Sequence, residues 1–219
     1  MKLLLTSGGI TNQSITDALI DLVGKKAEDT SVAVIPTASN IESGDKGWLI
    51  DDLVNLQKQN FKSIDIVDIS ALDKSIWEPR LRLAEVLFFG GGSERYLMEW
   101  IDKSGLVDIL PELLKTKVYV GVSAGSDVTN RDLYINISQT IYEEDLDKTE
   151  DMKGLGFVDF YFLPHLNSPW FKKARKEDIE EAIKGMTEKI YALDDQSAIK
   201  IDGSSLEIIS EGEYMILNE

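Results

Sequence analysis

The chain has 219 residues, 43% of them hydrophobic, and no cysteine, which rules out disulfide frameworks, thiolate zinc sites and cysteine nucleophiles together. Its formal net charge of -16 would repel phosphate backbones, so nucleic acid is disfavoured as a partner and the acidity reads as solubility. No apolar run approaches the roughly 20 residues of a membrane span, and Met1-Lys2-Leu3-Leu4-Leu5 is too short for a signal peptide, so no membrane partner and a cytoplasmic location are expected.

This length and apolar content suit a single domain, 1–219, with a core large enough to need no staple. Lys2-Leu3-Leu4-Leu5-Thr6 reads as a buried parallel strand ending at Gly8-Gly9. A helix is expected over 14–25, where Ile15, Leu19, Ile20 and Val23 recur at helical spacing, and a second buried strand over 31–35, stopped by Pro36. A helix over 46–60, strands over 63–69 and 85–89, helices over 96–102 and 106–114 and a strand over 118–120 follow. Strands alternating with helices predict an α/β fold: a three-layer sandwich around a mostly parallel central sheet. Beyond it come a strand over 160–163, a charged helix over 177–186 and short strands over 189–193, 198–201, 206–209 and 213–217. Asp202-Gly203-Ser204 and Glu211-Gly212 are turn signals, so the last three strands read as an antiparallel meander at the sheet edge.

Ser123 carries the clearest chemistry. It follows a buried strand, opens a helix, and has glycine two residues to either side in Gly121-Val122-Ser123-Ala124-Gly125. Such a turn forces a strained backbone on the serine, the glycines relieve the crowding, and the next amide, that of Ala124, points toward whatever the serine attacks. The motif alone is common; its place after a strand gives it weight. Gly90-Gly91-Gly92-Ser93 also links a strand to a helix. A dinucleotide fingerprint would need glycine at position 95, where Arg95 stands, so the loop is better read as a second oxyanion donor through Gly91 or Gly92. His165 is the only histidine, and it lies just past the 160–163 strand, where open α/β sheets gather their sites. It is the natural base for a serine hydroxyl. To orient the imidazole, Asp194 and Asp195 lie at the end of the 189–193 strand, and Asp195 is preferred; Glu143, Glu144, Asp145 and Asp147 are the alternatives.

Together these motifs resemble the serine peptidase family of aspartyl dipeptidase (dipeptidase E) and cyanophycinase, peptidase family S51. The resemblance covers nearly the whole chain, from Thr6-Ser7-Gly8-Gly9 through Phe89-Gly90-Gly91-Gly92-Ser93, the Ser123 turn and Leu163-Pro164-His165 to Leu193-Asp194-Asp195-Gln196. It implies a fold similar to the class I glutamine amidotransferases, with serine in place of cysteine. It implies Ser123 as nucleophile, His165 as base, and Ala124 with Gly91 or Gly92 as oxyanion hole. Asp195 matches a glutamate of aspartyl dipeptidase, one methylene longer, and Arg175 matches the family arginine that holds an aspartyl carboxylate. Ser126-Asp127 stands where dipeptidase E has alanine and asparagine, and the stretch after His165 is shorter, which puts aspartyl specificity in question. The expected partner is a small peptide substrate, with no metal and no cofactor. An esterase or amidase on small acyl compounds, or a non-catalytic ligand-binding relative, are the competing readings, and a homodimer is left open.

Overall fold

The computed structural model describes residues 1–218. The first half alternates as the hydrophobic pattern predicts: β1 (Lys2–Thr6), α1 (Gln13–Val23), β2 (Ser31–Ile35), α2 (Gly47–Lys58), β3 (Ser63–Ile66), α3 (Lys74–Leu83), β4 (Val86–Phe89), α4 (Glu94–Lys103), α5 (Leu106–Leu113) and β5 (Val118–Val122). Helix α3 is absent from the sequence reading. Pro79 inside it and its mean polarity mask the apolar stripe formed by Trp77 and Leu81, both buried. A four-residue helix, α6 (Ala124–Asp127), follows β5, and β6 (Asp132–Leu133), α7 (Ile135–Ile137) and β7 (Met152–Lys153) form a small excursion. The chain ends in β8 (Tyr161–Leu163), α8 (Lys176–Ala182), β9 (Ile190–Leu193), β10 (Ser197–Asp202), β11 (Ser205–Ser210) and β12 (Tyr214–Leu217).

The central sheet runs β11-β10-β1-β5-β4-β2-β3, with the five strands from β1 to β3 parallel and the β10–β11 hairpin antiparallel at one edge. Successive side chains on a strand point to opposite faces, and two cores result. Leu3, Leu5, Ala33, Ile35, Leu87, Phe89 and Tyr119 pack with Trp77 and Leu81 of α3 and with Leu97 and Ile101 of α4. Leu4, Val32, Val34, Val86, Phe88, Val118 and Val120 pack with Ile15 and Leu19 of α1 and Leu56 of α2. The three-layer α/β sandwich expected from the sequence is therefore present. No helix among the described residues is long and apolar enough to cross a membrane.

The expected C-terminal meander needs one correction. The β10–β11 hairpin joins the central sheet, but β12 leaves it and pairs antiparallel with β9, in a second sheet ordered β12-β9-β8. The physical cause is Asp194. Its carboxylate accepts hydrogen bonds from the Glu213 amide (2.6 Å), the Gln196 amide (3.0 Å) and the Ser197 hydroxyl (2.6 Å), while its own amide donates to the Glu213 carbonyl at 3.0 Å. The turn at 211–213 is thereby held against the end of β9. Replacing Asp194 with alanine leaves these donors without an acceptor, so Asp194→Ala is expected to lower unfolding free energy by about 1–3 kcal/mol in chemical denaturation.

Candidate active site

Register brings the site together. Thr6 pairs with Val122 across β1 and β5, and Phe89 pairs with Gly121 across β4 and β5. Three adjacent parallel strands therefore end at one level, delivering Ser7, Ser123 and the glycine loop after β4 to the same edge. Strand β10 is antiparallel to β1, with Ala198 opposite Thr6, so its beginning lies beside the end of β1. Asp195, two residues before β10, arrives next to Ser7 for that reason. Strands β8 and β9 are parallel, Leu163 opposite Ala192, so His165 and Asp195 emerge together as well. The Leu166 amide donates to the Leu193 carbonyl at 2.9 Å, and Asn130 clasps both the amide and the carbonyl of Phe162 (2.9 and 3.2 Å), which ties β8 to the segment after α6.

At the end of β5, Ser123 has φ 48° and ψ -115°, a conformation that costs a non-glycine residue energy. The flanking glycines explain how it is tolerated. A methyl group at Gly121 would stand 2.5 Å from the Gly125 carbonyl oxygen, and one at Gly125 would stand 2.1 Å from that of Phe89. The turn can close only without those side chains. Ser123 Oγ lies 2.8 Å from His165 Nε2, and His165 Nδ1 lies 2.6 Å from Asp195 Oδ1. His165 itself sits at φ 64°, and Phe171 stacks on its ring at 4.4 Å. Of the acidic doublet, Asp195 faces the histidine and Asp194 is spent on the turn described above.

Ser7 is a site residue the sequence reading did not single out. Its hydroxyl donates to Asp195 Oδ1 at 2.9 Å and accepts from the His165 amide at 2.8 Å, so one side chain clamps both partners. The Thr6-Ser7-Gly8-Gly9 turn was the available signal. A methyl group at Gly8 would stand 2.9 Å from Asp195 Cβ, so the aspartate needs glycine beneath it. Burial pushes the Asp195 carboxyl up, but the hydrogen bond and charge of His165, then the hydroxyls of Ser7 and Ser168, outweigh it and hold the group below its usual value of 3.8.

The glycine loop lies against the nucleophile. A methyl group at Gly91 would stand 3.5 Å from Ser123 Cβ and 3.7 Å from the Trp48 ring. Gly92, at φ 126°, packs against Ala38, whose carbonyl oxygen would be 2.3 Å from a Cβ there. The Gly91 and Ala124 amides donate to no acceptor among the described residues. Arg175 differs from expectation. Its guanidinium donates to the carbonyls of Phe171 (3.1 Å), Ala174 (3.0 Å) and Ser168 (2.9 Å), so it braces the 168–174 loop instead of offering a free fork for a substrate carboxylate. Three of the four alternative acids are paired elsewhere: Glu143 with Lys173 at 2.8 Å, Asp145 with Arg95 at 3.1 Å and Asp147 with Lys148 at 2.8 Å.

An α/β sandwich with a serine on a strained strand-to-helix turn, hydrogen-bonded to a histidine, is an arrangement that serine-type hydrolases of several kinds use. The family model for peptidase family S51 matches residues 3–209, and the chain belongs to that family. It is 28% identical over 167 residues to an uncharacterized peptidase of Pasteurella multocida, covering 74% of this chain and 77% of that protein. A similar peptidase of Listeria monocytogenes is 26% identical over 187 residues, covering 80% and 84%. Among solved structures, a candidate peptidase E from Listeria monocytogenes superposes with TM-score 0.75 at 23% identity, over 96% of this chain and 98% of that one. A peptidase from an acI-B1 actinobacterium gives the same TM-score at 15% identity, over 99% and 90%. These two likenesses concern the fold.

Because the folded-state value of Asp195 lies below its unfolded value, the stability it contributes is complete above the ordinary aspartate range and is lost as pH falls through the lower value. The stability gap between the wild type and Asp195→Asn should be widest above the ordinary aspartate range and close as pH falls through the lowered value in denaturant titrations. A gap independent of pH would show that the carboxylate is not held this way.

Proposed function

We propose that this peptidase hydrolyses short peptides, dipeptides among them, through an acyl-enzyme on Ser123. The observation that carries the reading is the hydrogen-bonded line from Ser123 Oγ to His165 Nε2 (2.8 Å) and from His165 Nδ1 to Asp195 Oδ1 (2.6 Å). His165 takes the hydroxyl proton as Ser123 attacks the scissile carbonyl. Asp195, held by Ser7, fixes the tautomer that leaves Nε2 free to accept and stabilises the imidazolium that forms. The Gly91 and Ala124 amides stabilise the oxyanion. His165 then returns the proton to the departing amine, and a water, activated by the same imidazole, clears the acyl group. Short peptides suit a chain with no large insertion: beyond the central sheet, the β12-β9-β8 sheet and their helices, the described residues add only the small β6–α7–β7 excursion.

The three side chains act as one unit, so their losses should not add. Ser123→Ala is expected to lower kcat on a cleaved dipeptide by at least about a thousandfold, His165→Ala by a similar factor, and the double variant by no more than the worse single one. Steady-state kinetics on a dipeptide panel tests this. Losses that multiply in the double variant would mean that the two residues act independently.

A further inference from the structure

Two hydrogen bonds do not by themselves fix the ring of His165. Nδ1 is tied to Asp195 and Nε2 to Ser123. The torsion that sets the plane of an imidazole is broad and roughly two-fold, however, so the plane is left to the surroundings. His165 also stands at φ 64°, in the left-handed region, on a loop beyond the end of β8. Phe171 covers one face of its ring. The two rings are stacked, with centroids 4.4 Å apart and planes 20° from parallel, and the histidine side chain is left 15% exposed.

Phe171 is itself held from two sides. On one side, Tyr142 closes a π-helical turn over Ser138–Tyr142, a widened geometry that recurs at functional sites. Its ring meets Phe171 edge-on at 5.4 Å, and its hydroxyl donates to the carbonyl of Pro164, the residue before the histidine, at 3.0 Å. On the other side, Arg175 spreads its guanidinium over the carbonyls of Ser168, Phe171 and Ala174. A planar fork can serve several acceptors in fixed directions, which an ammonium on a flexible stem cannot. The loop also closes on itself: the Ser168 amide donates to the His165 carbonyl at 3.0 Å and the Asn167 amide to that of Ala174 at 2.8 Å. Phe171 and Tyr142 both pack against a third apolar core, which includes Leu163, Leu166 and Ala174. The stacked ring is therefore part of a rigid unit that begins at the histidine itself.

We propose that Phe171 is a positioning residue for the base: carried on the loop that Arg175 braces and backed by Tyr142, it fixes the plane of the His165 ring, so that Nε2 stays in line with Ser123 Oγ while Nδ1 stays on Asp195. The proposal rests on the reading of Ser123 as nucleophile and His165 as base. The aromatic ring has a second consequence. A π face within about 6 Å of a cation attracts it, so Phe171 favours the charge that the imidazole acquires as it takes the serine proton. That charge arises only during the attack, so the contribution falls on turnover and not on substrate binding. Arg175 gains a role as well: it acts on the base through Phe171 instead of on a substrate carboxylate.

His165 is the only histidine, so the Nδ1 proton it shares with Asp195 gives a single far-downfield imidazole resonance in proton NMR. The resonance is expected in the wild type and in Phe171→Tyr, which keeps the ring. It should broaden or vanish in Phe171→Leu, which keeps apolar bulk without a flat face. On a cleaved dipeptide, Phe171→Leu should lower kcat at least about tenfold while KM changes by less than about twofold, and Phe171→Tyr should recover most of the loss. Arg175→Met removes the brace and leaves the stacked residues in place; it should show the same pattern, and it serves as the second variant should Phe171→Leu fail to fold. A resonance and a kcat that survive the loss of the ring or of its brace overturn the positioning role, as does a Phe171→Tyr protein as impaired as Phe171→Leu. The resonance reports the ring without turnover. A protein that loses it in Phe171→Leu yet cleaves no peptide would overturn the hydrolytic reading and leave the hold on the ring intact, whereas undiminished turnover in Phe171→Leu would leave hydrolysis by Ser123 standing.

Discussion

The closing of the chain at Ser123 depends on two places where no side chain can be present. Gly121 and Gly125 approach backbone carbonyls so closely that a methyl group on either would overlap them, and this lets α6 start directly from the end of β5. The serine is left at φ 48° with its hydroxyl facing the sheet edge. Local strain of this kind persists only where the surroundings over-determine it. Here the surroundings are a parallel sheet buried on both faces, in which β1, β5 and β4 are held in one register by two hydrophobic cores. Loss of register would move Ser7, Ser123 and Gly91 to different levels and dissolve the site without altering any of its side chains.

The histidine and the aspartate reach this edge by a different route. They come from the ends of the parallel pair β8 and β9, in a smaller sheet, and β10 carries the chain after Asp195 back along β1. Two neighbouring aspartates divide the work. Asp194 organises the turn that sends β12 onto β9, and Asp195 faces the imidazole. Ser7 links the two sheets at the point of chemistry, since its one hydroxyl bonds to both His165 and Asp195.

Much of this was legible in the residues. Apolar runs bounded by glycine and proline mark the buried strands, because strands covered on both faces need continuous hydrophobicity. Ser123, His165 and Asp195 could be named because a strand-to-helix serine, a lone histidine and an acid at a strand end each carry a physical signature, and Gly91 and Ala124 because they follow strands at the same edge. What escaped was long-range. Ser7 looks like an ordinary turn residue until β10 is known to lie beside β1. The destination of β12 depends on hydrogen bonds to Asp194 that no periodicity reports. Arg175 carries a charge that suggests a ligand, but the carbonyls of its own loop saturate much of its fork.

The central claim is that Ser123 is the nucleophile and that the Gly91 and Ala124 amides receive the oxyanion. A fluorophosphonate adduct, located by peptide mass mapping and then by crystallography, tests both parts at once. The account predicts one modified residue, Ser123, no labelling of Ser123→Ala, and the phosphonyl oxygen within hydrogen-bond distance of both amides. Labelling that persists in Ser123→Ala, or an adduct whose oxygen points away from Gly91 and Ala124, would contradict it.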